Sequence, residues 1–271
     1  MNEIRVVSSL DSADLQPYRT LRRAADHVEQ GIFVAEGEKV VRRLLESDLR
    51  VISLLMTNSL FQQFKQLVDA RKEDDIRTYI AERALLETIV GFSLHQGIMA
   101  VAEIPEPQSL ESIILSKQTG LFMVAVDGIA NSANLGIIVR NCAAFGVDAL
   151  VVGETACSPY LRRSVRMSMG AIFRLPVVHV EHLSVTLREL SERHGTRTIA
   201  AEPDKAALSS FNQDFSGNIC LVFGSEGSGS SRAVLEVCRE RVKVQTSSSV
   251  GSLNVASASA ILLYEASRQR K

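Results

Sequence analysis

Hydrophobic and polar positions in the first hundred residues switch between helical and strand-like spacing. Residues 17–30 have a helical pattern. IFVAEGEKVVRRLLES predicts a short strand and then an amphipathic helix whose apolar face holds Val40, Val41, Leu44 and Leu45. VISLLMT, RTYIAE and HQGIMAVAEI predict three more strands, with a helix near 60–70 between the first two. Together these elements predict a small α/β domain over residues 1–106.

Two prolines interrupt this pattern and predict a linker. Pro105 and Pro107 stand two residues apart, and proline blocks both helices and central strands, so we place a linker at 107–119. Beyond it, in residues 120–271, helical patterns near 135–145, 160–170, 183–194, 230–240 and 253–269 alternate with the apolar runs LFMVAV, ALVVG, RLPVVHV, RTIAAE, ICLVFG and RVKVQ. Continuous apolar strands separated by helices predict a parallel sheet covered on both faces.

The charge balance limits how this chain could bind a nucleic acid. Its 271 residues have a formal net charge of −1, which argues against binding by bulk charge and leaves a local basic stripe as the means. No acidic residue occurs from 155 to 180, where four arginines lie: Arg162, Arg163, Arg166 and Arg174. The lack of a balancing acid favours phosphate binding over a solvated helix face, and we predict this role for Arg162, Arg163 and Arg166. For a smaller cluster, Arg22 and Arg23, phosphate binding and a solvated helix face stay equally open.

Cysteine spacing and the lengths of the apolar runs indicate the compartment. The four cysteines stand far apart and form no C-x-x-C pair, which predicts free thiols in a reducing environment and no metal site. No apolar run approaches the roughly 18 residues of a membrane-spanning helix, and the first residues lack the pattern of a signal peptide. We therefore predict a cytoplasmic protein with no membrane partner.

The segment AVDGIANSANLGIIVRNCAAFG ends a strand and begins a helix. Asn131, Ser132 and Asn134 are helix-capping residue types, which is the structural interpretation of this segment. Arg140 lies six residues after Asn134 in an otherwise apolar helix. A buried or half-buried arginine needs an anionic or hydrogen-bonded partner, so a structural ion pair and a catalytic role stay equally open for it.

Two later segments combine glycine or small residues with polar ones. In LVFGSEGSGSS a strand runs into a loop with Gly224, Gly227 and Gly229, which is either a flexible turn or a place where backbone approaches a ligand. The loop matches neither a P-loop, nor G-x-G-x-x-G, nor a nucleophile elbow. In TSSSVGSLNVASASAILLYEA, Ser252, Leu253 and Asn254 lead into a helix of small residues. The structural interpretation here is a tightly packed helix capped by Ser252, with Asn254 a surface residue of its first turn.

Taken together, these three segments resemble the SpoU (TrmH-like) family of RNA ribose methyltransferases, within the SPOUT superfamily. The family's motifs correspond to Asn134–Arg140, to Gly224–Gly229 and to Ser252–Val255. SMGAIFRLPV is similar to the family's middle region. FVAEGEKVVRRLLE and HQGIMAVAE resemble, more weakly, the substrate-binding domain often fused to these enzymes, which has a ribosomal-protein-like α/β fold.

The resemblance implies a parallel-sheet catalytic domain with a C-terminal trefoil knot, a homodimer with its active site near the subunit interface, and methyl transfer from S-adenosylmethionine to a ribose 2′-hydroxyl of a structured RNA. It implies that backbone groups of Gly224, Val244 and Leu253 hold the cofactor. It implies a catalytic set of Asn134, Arg140, Glu226, Ser252 and Asn254. Transfer RNA and ribosomal RNA both stay open, as does a base acceptor.

The role of Arg140 within that set has two interpretations. The family's arginine is often proposed as the base, but a guanidinium keeps its proton at neutral pH because its pKa lies above about 12. We therefore expect Arg140 to bind the target phosphate and to stabilise the developing alkoxide. Ser252 and Asn254 would then orient the hydroxyl, and Glu226 would order the arginine or the loop.

The chain departs from the family pattern at two places. Ser132-Ala133 stands where Pro or His is usual, and Val244-Gln245-Thr246 stands where most members have I-P-M. The second departure supports an alternative function, a non-catalytic RNA-binding or ribosome-assembly protein that keeps the fold. A nucleotide-dependent oxidoreductase is disfavoured because G-x-G-x-x-G is absent after the strands.

Overall fold

The computed structural model describes residues 3–71, 73, 75–90, 97–117, 120–204, 206–247 and 252–270. The backbone forms two compact units. The first comprises Met1–Glu106 with Pro159–Phe173, and the second comprises Pro107–Ser158 with Arg174–Lys271. None of the helices in the described ranges combines the length and the apolar character that crossing a bilayer requires.

The first unit is built on a five-stranded mixed sheet. Its elements are β1 (Glu3–Val7), α1 (Gln16–Arg19), α2 (Ala24–Glu29), β2 (Ile32–Glu36), α3 (Glu38–Leu45), β3 (Val51–Met56), α4 (Asn58–Asp69), β4 (Arg77–Ala81), α5 (Arg83–Val90), β5 (Ile98–Glu103) and α8 (Arg162–Met167). The strand order is β1-β4-β3-β5-β2. Strands β1, β4 and β3 run parallel, whereas β5 is antiparallel to both β3 and β2. The predicted α/β class of this region is confirmed.

The amphipathic pattern of α3 predicts its buried face correctly. Val40, Val41, Leu44 and Leu45 are all buried in this helix. The ring of Phe33, on β2, stacks on Phe173 with a centroid distance of 5.6 Å and also contacts the ring of Tyr160. The face of β2 that carries Phe33 is therefore covered by aromatic side chains from 159–173.

The helical pattern over 17–30 becomes two short helices, α1 and α2, because the chain turns at Thr20. The Thr20 hydroxyl donates to the Gln16 carbonyl at 2.9 Å and lies 2.8 Å from Nε2 of the buried His27. Threonine that bonds back to its own helix competes with the backbone ladder, and here the helix ends at Arg19.

The second unit is built on a seven-stranded sheet. Its elements are α6 (Leu110–Ser116), β6 (Phe122–Val126), α7 (Ser132–Ala144), β7 (Ala149–Val152), β8 (Val177–His179), α9 (Leu183–His194), β9 (Arg197–Ala201), β10 (Leu208–Ser209), β11 (Ile219–Phe223), α10 (Arg232–Val237), β12 (Glu240–Lys243) and α11 (Val255–Gln269). The order is β10-β12-β9-β11-β6-β7-β8, and all pairings are parallel. This confirms the predicted parallel sheet.

The central strands explain why the sequence shows continuous apolar runs there. Every residue of β6, β7 and β11 is buried, as expected where helices cover both faces of a parallel sheet. Helix α6 lies inside the stretch expected as a linker, and the two-residue edge strand β10 has no counterpart among the predicted elements. The trefoil knot stays a prediction, since 248–251, with Ser248, Ser249 and Gly251, lie outside the described residues.

The far end of α11 is fixed by its last residues. The Arg270 guanidinium donates to the carbonyls of Phe215, Gly217 and Gly120, and it lies 4.9 Å from the Phe122 ring centroid. Burial lowers the pKa of Arg270. These contacts tie the last turn of α11 to the end of the sheet opposite to its first turn, which Asn254 caps.

Candidate active site

A tight glycine loop begins where β11 ends. Ser225 and Gly229 exchange backbone hydrogen bonds, both at 3.0 Å, so that the loop folds back on itself. A Cβ on Gly224 would lie 2.1 Å from the Ser230 nitrogen and 2.2 Å from the Gly229 carbonyl carbon. No side chain fits at 224, because the returning backbone passes directly over this residue.

Two carboxylates anchor the end of the loop to neighbouring strands. Glu202, just after β9, accepts from the Ser230 backbone N–H at 2.8 Å. Asp127, just after β6 and only 5% exposed, accepts from the Ser231 N–H at 2.6 Å. Sequence analysis did not identify either residue, although both follow buried strands at the carboxyl edge of the sheet, where ligands of α/β proteins usually bind.

Asn254 connects helix α11 to this loop. Its Oδ1, in place of the Ser252 expected from the sequence, caps the helix by accepting from the Ala256 N–H at 2.9 Å and from the Ser257 N–H at 3.3 Å. With that oxygen fixed, Nδ2 donates to Oδ1 of Asn134 at 3.2 Å and to Oε1 of Glu226. The cap therefore decides which way the amide points, and it brings three predicted catalytic residues together.

A cavity of about 390 Å³ lies between the glycine loop, β12 and the start of α11. Five predicted site residues line it: Gly224, Glu226, Val244, Ser252 and Leu253. The remaining lining residues are Ala201, Glu202, Pro203, Phe223, Ser225, Gly227, Ser228, Gly229, Val242, Lys243, Thr246, Val255, Ala258 and Leu262. Its walls thus combine apolar side chains with loop backbone and two carboxylates.

Arg140 points away from the other residues of the predicted catalytic set. Six residues after Asn134, it is turned about 120° around α7. Asn134 is buried, whereas Arg140 is exposed, makes no ion pair with any residue that the structure describes, and does not line the cavity. The structural ion pair considered for Arg140 is therefore not formed within the described part of the chain.

Helices α7 and α11 are joined by a second amide that sequence analysis missed. Asn141 donates from Nδ2 to the Ala256 carbonyl at 3.1 Å and to the Ser259 hydroxyl at 2.9 Å. It follows Asn134 by seven residues and so shares its face of α7. That heptad spacing is the sequence signal that could have identified it.

The arginines predicted to bind RNA fall into two groups in the structure. Arg162 and Arg166 both pair with Glu36, at 2.9 and 3.2 Å, and the Glu36 side chain is only 10% exposed. The acid that the local sequence lacks thus comes from β2. Arg163, Arg22 and Arg23 are exposed and form no ion pair with residues in the described ranges.

The cysteine thiols lack the properties of a nucleophile. All four are free, and burial raises the pKa of Cys238 to about 12 and also raises those of Cys142 and Cys220. Burial also raises the pKa of Cys157. A thiolate nucleophile is therefore not available at neutral pH from any of them.

Comparison with known proteins places this geometry in a family. The SpoU rRNA Methylase family profile matches residues 121–264, and the profile for RNA 2′-O ribose methyltransferase substrate binding matches residues 34–108. An uncharacterized tRNA/rRNA methyltransferase of Mycobacterium tuberculosis is 30% identical over 98% of this chain and 92% of its own length. The 23S rRNA (guanosine-2′-O-)-methyltransferase RlmB of Ralstonia nicotianae is 30% identical over 86% of this chain and 94% of its own.

Two solved structures are similar in fold to this chain over nearly its whole length. The SpoU methyltransferase AviRb from Streptomyces viridochromogenes, crystallised with the cofactor AdoMet, has a TM-score of 0.80 and 25% identity, covering 95% of this chain and 98% of its own. An RNA methyltransferase of the TrmH family from Porphyromonas gingivalis has a TM-score of 0.76 and 26% identity, covering 96% and 98%. With its glycine loop, its helix-capping asparagine and a matching profile over more than half its length, the chain belongs to the SpoU family of RNA methyltransferases.

Proposed function

We propose that this protein transfers a methyl group from S-adenosylmethionine to a ribose 2′-hydroxyl of a structured RNA. The observation that carries the proposal is the hydrogen-bonded group of Asn134, Glu226 and Asn254 beside the glycine-loop cavity. RlmB relatives are named as guanosine 2′-O-methyltransferases, and AviRb was crystallised with AdoMet. The free cysteines fit a reducing, cytoplasmic setting.

The residues around the cavity fit the cofactor. The volume of about 390 Å³ lies in the range of small-molecule sites. Phe223, Val242 and Leu262 provide apolar wall for an adenine ring, and the loop from Gly224 provides backbone groups without obstructing side chains. Val244 and Thr246 line the cavity through a segment that departs from I-P-M, and backbone contacts there do not depend on side-chain identity.

When bound, S-adenosylmethionine supplies a methyl group that its sulfonium already activates. The protein's task is to hold the acceptor hydroxyl in line and to assist loss of its proton. In Asn254, Oδ1 accepts two hydrogen bonds from the helix backbone, and Nδ2 donates its two hydrogens to Asn134 and Glu226. No hydrogen-bonding position of this side chain is left for a ligand. We therefore assign it to positioning those two side chains, and we assign contact with the hydroxyl to the exposed Glu226 and Ser252.

Arg140 requires a second subunit in this proposal. Near its helix, α11 exposes two large apolar residues, Ile261 at 41% and Tyr264 at 59%, and Tyr264 contacts the ring of Phe145 at the end of α7. We propose that this face forms a homodimer in which Arg140 serves the site of the partner subunit. There its guanidinium would bind the target phosphate and stabilise the developing alkoxide.

Mixing two inactive variants tests that arrangement. Arg140→Ala and Asn254→Ala are each expected to abolish turnover, and co-refolded mixtures are expected to recover about a quarter of the wild-type activity, since half of the dimers then have one intact site. If Arg140 served its own subunit, every mixed dimer would carry two defective sites. Mixtures as inactive as the single variants would then contradict the shared site.

The RNA contact is proposed for the exposed arginines. Arg163, Arg22 and Arg23 have no ion pair among the described residues, so they are available to phosphate, whereas Arg162 and Arg166 would first have to leave Glu36. The RlmB relatives favour large-subunit ribosomal RNA as the substrate. Transfer RNA is the other outcome of the mapping described next.

Two measurements test the function as a whole. Calorimetric titration with S-adenosylmethionine is expected to show one binding site per chain. If no binding were detected, the non-catalytic RNA-binding alternative would be favoured. Mapping 2′-O-methyl positions in ribosomal and transfer RNA from cells with and without the gene is expected to reveal one ribose that loses its methyl group. Loss of a base methylation instead would contradict the ribose acceptor.

A further inference from the structure

Glu202 places a carboxylate in the cavity next to the segment proposed to hold adenine. Its backbone N–H donates to the Val242 carbonyl at 2.9 Å, two residues before Val244. One carboxylate oxygen, Oε1, accepts from the Ser230 N–H at 2.8 Å. The other, Oε2, lies 2.5 Å from where a Cβ on Gly229 would stand, so glycine at that position makes room for it.

The hydrogen-bonding capacity of this carboxylate is largely unused. An ionised carboxylate offers about four acceptor positions, and among the described residues only Ser230 donates to Glu202. Of the other charged groups lining the cavity, Glu226 accepts from Asn254 and is assigned above to the acceptor hydroxyl, and Lys243 donates to the Asp204 carbonyl. Glu202 therefore presents free acceptor positions to a ligand that carries donors.

We propose that Glu202 binds the ribose hydroxyls of S-adenosylmethionine, which adds a cofactor-binding side chain to the backbone contacts and rests on the proposed function. The cofactor's donors are the adenine amine, the two ribose hydroxyls and the methionine ammonium. The ribose is attached directly to the adenine, whereas the ammonium is at the far end of the methionine chain. A group hydrogen-bonded to Val242, beside Val244, is thus placed for the ribose.

A glutamine substitution separates this contact from the anchoring of the loop. In Glu202→Gln the carbonyl oxygen keeps the bond from Ser230, and the amide then turns an NH₂ donor, in place of an acceptor, toward the cavity. The loop anchor is retained and the acceptor for hydroxyls is lost.

Calorimetric titration of the full chain with three compounds tests the proposal: S-adenosylhomocysteine, its 2′,3′-dideoxy analogue, and 5′-methylthioadenosine, which lacks the ammonium. Glu202→Gln is expected to raise the dissociation constants of S-adenosylhomocysteine and methylthioadenosine by about tenfold each, because a hydrogen bond to a charged acceptor is lost. Binding of the dideoxy analogue is expected to be the same in wild type and variant.

Each other result overturns the assignment. An equal loss for the dideoxy analogue would show that Glu202 acts through the loop or on the adenine amine and not on the ribose. A loss for S-adenosylhomocysteine alone would identify the ammonium as its partner. Unchanged binding of all three would show that there is no contact. If the wild type bound none of them, the proposed function itself would fail.

Asp127→Ala, which removes the acceptor altogether, is the control for a loosened loop. Asp127 anchors the adjacent Ser231 N–H but does not line the cavity. A loosened loop is expected to weaken all three compounds by one common factor, so the selectivity between ribose and dideoxyribose stays that of the wild type. Circular dichroism and thermal unfolding confirm that each variant is folded.

Discussion

At the scale of single residues, the site depends on how completely Asn254 uses its amide. Each of its hydrogen-bonding positions has a partner, two on the α11 backbone and two on the side chains of Asn134 and Glu226. The resemblance identified the residue, but its contacts assign it a different task from the hydroxyl-orienting role expected at first. Sequence analysis could not have predicted these contacts, because the side-chain partners of Asn254 are 28 and 120 residues distant in sequence.

Asn254→Asp separates the cap from the positioning. Aspartate caps a helix as well as asparagine does, so the thermal unfolding temperature is expected to stay close to wild type. Both Nδ2 donors are lost and a carboxylate then faces Glu226, so turnover should fall by about 100-fold or more, as when a key active-site hydrogen bond is removed. Steady-state methyl transfer and thermal unfolding together measure this, and normal turnover in Asn254→Asp would refute the positioning role.

Gly224 provides a second residue-scale prediction. Gly224→Ala forces a Cβ into the backbone at Gly229 and Ser230, and the overpacking should lower the free energy of unfolding by about 1–3 kcal/mol. Gly227→Ala is the matched control, because a Cβ there meets nothing within 4 Å and the change in unfolding free energy should stay within about 0.5 kcal/mol. Urea unfolding of both variants distinguishes them, and equal stabilities would contradict the crossing of the loop over Gly224.

At the scale of elements, α7 and α11 form the framework of the site. Asn134 and Asn141 lie on one face of α7, and each bonds to the first turns of α11. At the other end of α11, Arg270 is held by three carbonyls and an aromatic ring. Periodicity could predict both helices, since their lengths and apolar spacing are local properties. It could not predict that they pack together across more than a hundred residues.

Arg270→Ala tests the anchor of α11. Losing bonds from a charged donor to three carbonyls is expected to reduce the free energy of unfolding by about 2–3 kcal/mol. Arg270→Lys should recover little of this, because one ammonium cannot reproduce the planar fork. Urea unfolding gives the values, and full recovery by lysine would show that charge alone matters at this position. Arg268→Ala is the control. It removes the ion pair with Glu265, in which the arginine side chain is 60% exposed, and it is expected to change the free energy of unfolding by at most about 1 kcal/mol.

At the scale of the whole molecule, α7 and α11 expose a charge without an ion pair among the described residues and two large apolar side chains. Arg140 has no ion pair in the described part of the chain, and Ile261 and Tyr264 are exposed on a neighbouring helix. A second copy of the chain would cover the apolar residues and give the arginine a role. The resemblance implies such a dimer, and the exposed face indicates where it would form.

Tyr264→Asp is expected to prevent dimerisation by placing a charge in an apolar interface. Sedimentation velocity should then show the monomer mass, with methyl transfer lost in parallel. Val185→Asp introduces the same charge at another exposed apolar position, 49% exposed on α9, and should leave both mass and activity unchanged. A Tyr264→Asp variant that still sediments as the wild type does would exclude this face as the interface.

RNA binding gives a second prediction at this scale. Arg163→Ala should weaken RNA binding and lower the slope of log affinity against log salt by about one unit, since one phosphate contact is lost. Arg166→Ala, whose guanidinium is paired with Glu36, should change that slope less. Filter binding at several salt concentrations measures both, and identical slopes would show that the pair with Glu36 does not withhold Arg166 from RNA.

The sequence by itself determined the parallel sheet, the order of most of its helices and strands, the family, and five of the residues that line the cavity. Those features follow from local periodicity and from motifs a few residues long. Only the tertiary structure decided that Glu36 neutralises Arg162 and Arg166, that Asp127 and Glu202 anchor the glycine loop, and that Asn254 contacts Asn134 and Glu226. The physical reason is the same in each case: a side chain's charge and hydrogen bonds are satisfied by whichever groups the fold brings near, and those groups come from distant parts of the chain.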